Sequence, residues 1–361
     1  SSDHPARVEA RAPRMLHEDA HRTHRAHGRA PTRPNLAWTY ATGGPIEAQI
    51  TTSPDEQTLY VSSLDGSVTA LSRTGEKRWI ATFGDRVYST PCVADDGSIY
   101  VGTDAKKFVA LTSDGRVRWR LDTDGDADTG AALTKEGNVV FAAGQDVYAV
   151  RSGGDLLWKF RAKRKVFTAP AIADDGMVVF GSQDDHVYAV TARGALAWVV
   201  DLGADVDGGP AMDDDGAVYV GTDAGELVKL DPRGQIVWRA KLGGYVRGSI
   251  SIARNGDVLA GVYGPAPREV RVAGDDGSER GALNVLGTGA RDFGVQGGAL
   301  EDDVGTLVFG TQDDALYVMG PDGAVRWRYV TGGDVDSPAT VLSDGTLLVG
   351  SDDGKVYCFA P

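Results

Sequence analysis

Asp122, Asp124, Asp126 and Asp128 alternate with Thr, Gly and Ala near the first third of a 361-residue chain. Carboxylates at every second position are the ligand type and spacing that calcium loops use, although the full twelve-residue pattern and its closing Glu are absent. A second set lies in the leader, where His17, His21 and His24 would share one face of a helix. Imidazoles so placed suit zinc or copper. Plainer alternatives stand beside both. Asp is a common turn residue, and the histidines belong to a solvated basic leader or to one strapped over the rest of the chain. Cys92 and Cys358 stand far apart and read as two small buried apolar residues, not as a disulfide.

The elements that must position these residues come from a repeat of about 40 residues. Ala110, Gly115 and Trp119 mark the frame: an apolar strand, a turn closed by glycine, and a strand carrying tryptophan. It recurs as Ala70-Gly75-Trp79, Ala149-Gly154-Trp158 and Ala189-Gly194-Trp198, then with a changed first residue as Lys229-Gly234-Trp238 and Val318-Gly323-Trp327. Between Trp238 and Trp327 there is room for one more unit. There Val272, Gly277 and Gly281 keep the spacing, with Gly281 where tryptophan belongs. Strands of the form Tyr-Val-Gly-Thr and turns such as Asp95-Asp96-Gly97 give four short antiparallel strands per unit. Trp38 begins the repeat without earlier strands, and the stretch after Ser337 supplies early strands without a tryptophan strand. The two ends therefore complete one blade, which leaves no open sheet edge. The expectation is an all-β, eight-bladed β-propeller of four-stranded antiparallel blades over 34–361, its last blade closed by the N-terminal strand, behind a basic strap over 1–33.

Charge narrows the partners. The net charge is −14. Residues 1–34 hold seven Arg against two Asp and two Glu, so the body behind them carries −17. That balance excludes general nucleic-acid binding, which depends on neutralising phosphates. No apolar run reaches the ~18 residues of a membrane span, so direct membrane insertion is not expected. The first residues, Ser1-Ser2-Asp3, suit a chain from which an export signal has been removed or a tag trimmed.

The Ala-x4-Gly-x3-Trp frame, with Tyr-Val-Gly-Ser/Thr before it, resembles the repeat of the PQQ-like (quinoprotein-type) eight-bladed β-propellers, and is closest in form to their non-enzymatic, BamB-like branch. Met15, Asp19 and Thr23 are similar to the Met-x3-Asp-x3-Thr segment that precedes such propellers. The resemblance implies that the leader lies against the propeller and that each tryptophan docks between neighbouring blades. The enzymatic branch implies a quinone with a calcium ion, but the adjacent-cysteine pair of that branch is missing here. No cofactor is expected: Ca2+ stays open, and pyrroloquinoline quinone (PQQ) is disfavoured.

Two further groups are candidates. In register, one inner-strand position reads Ala48, Tyr88, Asp128, Phe167, Asp207, Arg247, Gln296 and Asp336. Of these, Asp128, Asp207, Arg247, Gln296 and Asp336 would make a polar ligand funnel around the axis, focusing a negative potential. A second acidic ring is expected at Asp65, Asp104, Asp146, Asp185, Asp223, Asp314 and Asp353, unless those are simply turn residues. The irregular sixth and seventh units crowd Tyr263, Arg268 and Arg291 together, which suits a partner-binding surface. The expected function is a monomeric, non-catalytic scaffold that presents loops to a protein or peptide partner in the periplasm or cell envelope. The alternatives are a PQQ- or metal-dependent quinoprotein enzyme, and a cation or small-ligand sensor using the acidic funnel.

Overall fold

Eight four-stranded antiparallel sheets stand around one axis in the computed structural model, which describes residues 14–26, 28–264, 266–285 and 294–361. Blade 1 holds the strands Thr51–Thr52, Thr58–Ser63, Ser67–Ser72 and Lys77–Thr82, and blades 2 to 7 repeat that order along the chain. Blade 8 takes three strands from the C-terminus and its outer strand, Asn35–Ala41, from the N-terminal side. Asn35–Ala41 pairs antiparallel with Lys355–Ala360, so that Trp38 faces Cys358. This is the expected closure. Cys92 and Cys358 are buried free thiols in different blades.

The repeat frame has a packing reason. Six of the seven indoles lie over the glycine turn of the next blade and donate their Nε1–H to a backbone carbonyl there, whereas Trp327 packs on Tyr329 and Phe359. Trp79 bonds Ser113 O at 2.9 Å and Trp119 bonds Ser152 O at 2.8 Å, and the same bond follows from Trp38, Trp158, Trp198 and Trp238. A Cβ on Gly115 would stand 2.6 Å from the Trp79 ring, and its φ of +83° already favours glycine. The first residue of the frame is the cross-strand partner of the tryptophan, as in Ala110↔Trp119. Blade 6 departs from this. Its hairpin is one residue longer, so Gly281 pairs with Arg271, not with Val272. With no tryptophan there, nothing lies within 4 Å of a Cβ built on Gly281 or on Gly323 of blade 7.

A second contact sets the inner wall. Ile46, Val87, Ala127, Val166, Val206, Val246, Val295 and Val335 occupy one position in successive blades, all at most 1 % exposed. Most donate their N–H to a carbonyl at the end of the preceding blade's second strand, for example Val206 to Ser182 and Ile46 to Ser351. The glycine of Tyr-Val-Gly makes room for this residue. A Cβ on Gly102 would lie 2.0 Å from Ala127 O.

The leader runs as an irregular strap across one end of the axis. Its carbonyls accept from Val93, Ile172, Met212 and Ile252, at the ends of inner strands in blades 2, 4, 5 and 6. It exchanges two bonds with Glu301 of blade 7. Thr23 N–H and Oγ1–H both bond the Asp19 carboxylate, which is the physical content of the Asp-x3-Thr spacing. The helix that would put His17, His21 and His24 on one face is absent. His17, Glu18, Arg22 and His24 all have positive φ. His17 and His24 stack face to face, 4.5 Å between ring centroids, while His21 turns away to Asp174. Two stacked rings and one distant ring do not converge on a common ion, so the three-histidine metal site does not form.

That strap is pH-sensitive by construction. His17 and His24 are almost fully buried beside Glu18 and Arg22, with Gln49 bonded to Glu18 and Ser251 facing His24. Burial pushes His24 down to about 3, against a weak bond to Ala339 O and with Arg22 adding to the effect. Burial, then His24 and Arg22, lowers His17 as well. Both folded values lie below the unfolded ~6.5, so the unfolded chain binds more protons in acid. Their contribution to stability is present above pH ~6.5 and is lost as pH falls toward the folded values. Glu18, raised chiefly by burial, acts in the opposite sense.

Two outcomes are expected. Gly281→Trp fills the empty docking position over Gly323 and raises stability by about 1 kcal/mol, read as the denaturant midpoint; a lower midpoint would show the seam already repacked. His24→Phe keeps the stack without the titration. The wild-type melting temperature should drop more steeply than the variant's from pH 7 to 4.5, the gap reaching on the order of 2 kcal/mol. Parallel curves would rule this origin out.

Candidate functional site

The inner wall places the residue after the Ile46/Val87 position into a funnel at the end of the axis opposite the strap. In blades 1 to 8 that residue is Glu47, Tyr88, Asp128, Phe167, Asp207, Arg247, Gln296 and Asp336. All eight line one cavity of about 730 Å³, floored by Leu16 and Arg22 of the strap. The sequence reading is corrected in one place. Ala48 also touches the cavity and is buried, but the residue in register is Glu47. The buried Ile46, aligned with Val87 and Val206, was the signal that could have found it.

Two flanking layers follow from the same backbone pattern. One, two residues earlier, is Pro45, Arg86, Asp126, Lys165, Asp205, Tyr245, Gly294 and Asp334. The other is Leu64, Asp104, Gly144, Gln183, Asp223, Tyr263, Gln312 and Asp352, whose N–H groups bond the carbonyls of the first layer. The expected second acidic ring therefore mixes registers. Only Asp104 and Asp223 of it stand in this layer, and Asp352 was missed. Asp65 closes a turn by accepting from Gly43 and Ser67, Asp146 is buried against Arg161, and Asp353 bonds Lys355 and Tyr357.

Side chains couple across blades by a regular rule: the third-layer residue of one blade reaches the ring residue of the next. Gln183 donates to Asp207 at 3.2 Å, Gln312 to Asp336 at 3.1 Å, and Tyr263 Oη to Gln296 at 2.8 Å. Arg247 grips Asp223 with two bonds, 2.8 and 2.6 Å. Three of these pairs are 24 residues apart in sequence. That periodicity was legible but unused.

Charge alternates around much of the mouth. Blades 2, 4 and 6 carry a cation over an aromatic ring: Arg86 on Tyr88, Lys165 on Phe167 at 4.2 Å, Arg247 on Tyr245. Blades 3 and 5 carry Asp126/Asp128 and Asp205/Asp207. Ion pairs knit the two kinds: Arg86 to Asp104 at 3.0 Å, Lys165 to Asp128 at 2.8 Å, and Arg247 to Asp223. Blade 8 is acidic again, and so is Glu47 of blade 1. Burial, then Asp352, pushes Glu47 up to about 7, and burial with nearby carboxylates pushes Asp336 up to about 8 and Asp334 to about 6. Asp207 is pushed up to about 6, chiefly by burial.

The other candidate groups do not assemble. Asp122 pairs with Lys107, Asp124 with Lys159 and Arg161, and Asp128 with Lys165, while Asp126 and Asp128 face the cavity and Asp122 and Asp124 the outer surface. The four carboxylates thus part along a strand-and-turn and do not wrap one ion. Among the described residues, the acidic triads that do converge are Asp205, Asp207, Asp223 and Asp334, Asp336, Asp352. At the sixth and seventh blades Tyr263 is buried, 6 % exposed, with its hydroxyl on Gln296. Arg268 is tied to Glu279 and Leu242 O. Neither is an exposed anchor. Arg291 lies outside the described residues.

Comparison with known proteins agrees with this geometry. No curated protein sequence matches the chain. Among solved structures, BamB from Moraxella catarrhalis is similar at 16% identity and a TM-score of 0.75, covering 91% of this chain and 100% of its own. A europium-containing methanol dehydrogenase is similar at 12% identity and 0.80, covering 98% and 99%. A computationally designed protein, Ika8, is similar at 16% identity and 0.72, covering 89% and 98%. At these identities the likeness shows the fold alone, and it spans BamB, a dehydrogenase and a designed protein. The sequence profile described as Outer membrane protein assembly factor BamB matches residues 30–131, 112–193 and 183–277, more than half of the chain. With the eight closed blades, this makes the chain a member of that PQQ-like, BamB-type propeller family.

Proposed function

We propose that this propeller is a non-catalytic docking platform that receives a protein or peptide partner at the open mouth of its funnel, outside the cytoplasm. The observation that carries the proposal is the rim itself. Phe167 is 49 % exposed beside Lys165, Tyr88 lies under Arg86, and acidic blades alternate with them. Exposed aromatic and Arg groups among fixed charges are what partner hot spots use. The strap closes the other end, so the mouth is the accessible route to the axis. Family membership supports the same class of function and an envelope location. Among the described residues no helix is long and apolar enough to cross a membrane.

The quinoprotein alternative fits this lining poorly. PQQ carries three carboxyl groups. The cavity presents Glu47 and seven Asp against Arg22, Arg86, Lys165 and Arg247. The last three already hold Asp104, Asp128 and Asp223. An anionic quinone would have to break those pairs or sit against uncompensated carboxylates.

A photocrosslinking residue in place of Phe167, expressed in the source cells, tests the platform. Discrete adducts with one protein at position 167, and none at the outer-strand position of Ile80, are expected. Adducts at Ile80 alone would move the docking surface to the rim of the disc. Dye-linked alcohol oxidation after incubation with PQQ and calcium would restore the enzyme.

A further inference from the structure

The alternation of charge fails at one seam, and the failure has a chemical consequence. Blade 7 places Gly294 and Gln296 where blades 2, 4 and 6 have a cation–aromatic pair. Blade 8 then brings Asp334, Asp336 and Asp352, and blade 1 brings Glu47. Asp352 stands to Glu47 as Asp223 stands to Arg247, so an acid meets an acid where the rule elsewhere pairs opposites or hydrogen-bonding groups. Among the described residues, no Lys, Arg or His forms an ion pair with any of these four carboxylates.

The geometry is that of a collected donor set. One carboxylate oxygen from each of Asp334, Asp336 and Asp352 lies within 4.8 Å of the others. Asp336 is 6 % exposed and lines the funnel wall. Its Oδ2 accepts from Gln312, and its buried Oδ1 has no partner; the buried Oδ1 of Asp352 has none either. A buried carboxylate oxygen without a donor is costly. The triad in blade 5 provides an internal contrast. Asp205, Asp207 and Asp223 converge equally closely, and Asp207 Oδ1 is likewise buried without a partner, but Arg247 engages Asp223 through two bonds. There the protein supplies its own cation. Among the described residues, no cation does so in blade 8.

We propose that Asp334, Asp336 and Asp352 bind one divalent cation of the calcium class at the funnel mouth, with Glu47 closing the site from blade 1. Carboxylate oxygens alone select a hard cation over zinc or copper. The spread of the oxygens and the open solvent side suit calcium, which accepts six to eight oxygens in flexible geometry, better than magnesium, which demands a tight octahedron. The ion would do structural work. Asp352 stands in the turn into Lys355–Ala360, and Glu47 follows the Asn35–Ala41 strand that pairs with it. A cation bridging them staples blade 8, the blade built from both ends of the chain, to blade 1. This inference is independent of what docks at the mouth.

Calorimetric titration of chelator-stripped full chain with CaCl2 at pH 8 tests it, alongside thermal melts with and without calcium. The expected result is one calcium per chain, with a higher melting temperature in calcium than in NaCl of equal ionic strength. Asp352→Asn and Asp334→Asn, both at half-buried positions, should weaken binding at least tenfold, and Asp207→Asn should leave it unchanged. The proposal is overturned by no saturable uptake in the millimolar range that extracellular calcium modules reach. It is equally overturned by binding that survives both blade 8 variants, or by loss in Asp207→Asn instead, which would put the ion in blade 5.

Discussion

Each blade of this propeller is defined by what it buries on its neighbour. At the inner wall, Val206 and its counterparts sit under a glycine of the preceding blade and donate to a carbonyl one residue further on. At the outer wall an indole lies on a glycine turn of the following blade. These two contacts fix the radial seam at both ends, and a four-stranded sheet between them has little freedom left. They also decide the funnel. Once the buried valine is pinned, the next side chain must point to the axis and the N–H of the third layer must meet the carbonyl of the first. The chemistry of the mouth is then whatever residue type evolution has placed at three positions per blade. The scaffold itself is indifferent to that choice.

This explains which parts were legible beforehand. The tryptophan and glycine positions carry steric demands so strict that spacing alone reveals them, including the vacancy at Gly281 and the blade shared between the termini. The funnel positions carry no such demand, so their register had to be inferred. Seven of the eight expected ring residues stand where the register puts them; the first is Glu47 and not Ala48, nine residues after Trp38 as Tyr88 is after Trp79 and Asp128 after Trp119. The acidic turn residues Asp65, Asp146 and Asp353 looked like a ring because Asp serves hairpins in the same part of every blade. The leader lies against the propeller as the resemblance implies, but its histidines do not share a helical face. Spacing of His17, His21 and His24 suggests a helix only if local hydrogen bonds decide the backbone. Here five inner strands offer unpaired edge groups, and the strap satisfies them by taking positive φ at His17, Glu18, Arg22 and His24.

The strap and the funnel are two ends of one solution. A propeller of eight blades leaves an axial channel, and inner strands that are only two residues long in most blades leave backbone groups exposed at its end. Residues 14–26 fill that end with Leu16, the stacked histidines and Arg22, and bond blade after blade in passing. The channel becomes a cup with one opening. Closing it concentrates the field of the remaining carboxylates into a small volume with low-dielectric walls, which is the condition under which ring charges act together and not singly.

Within that cup the number of blades matters as much as their residues. An even ring can alternate sign all the way round, and blades 2 to 6 do so, each cation holding an acid of its own or the preceding blade. Two neutral residues in blade 7 interrupt the series, and the two acidic blades that follow meet at the point where the chain closes on itself. The mismatch is therefore not spread over the funnel. It is concentrated between Asp352 and Glu47, where the two ends of the chain meet and where the pairing of Asn35–Ala41 with Lys355–Ala360, the inner-wall bond from Ile46 to Ser351, the bonds of Ser337 and Thr340 to Ala48 O and Ile50 O, and the Arg73–Asp344 ion pair hold the ring shut. A repulsive cluster where the two ends of the chain meet would weaken that closure if left bare. The same cluster strengthens it once a positive charge lies between the two blades.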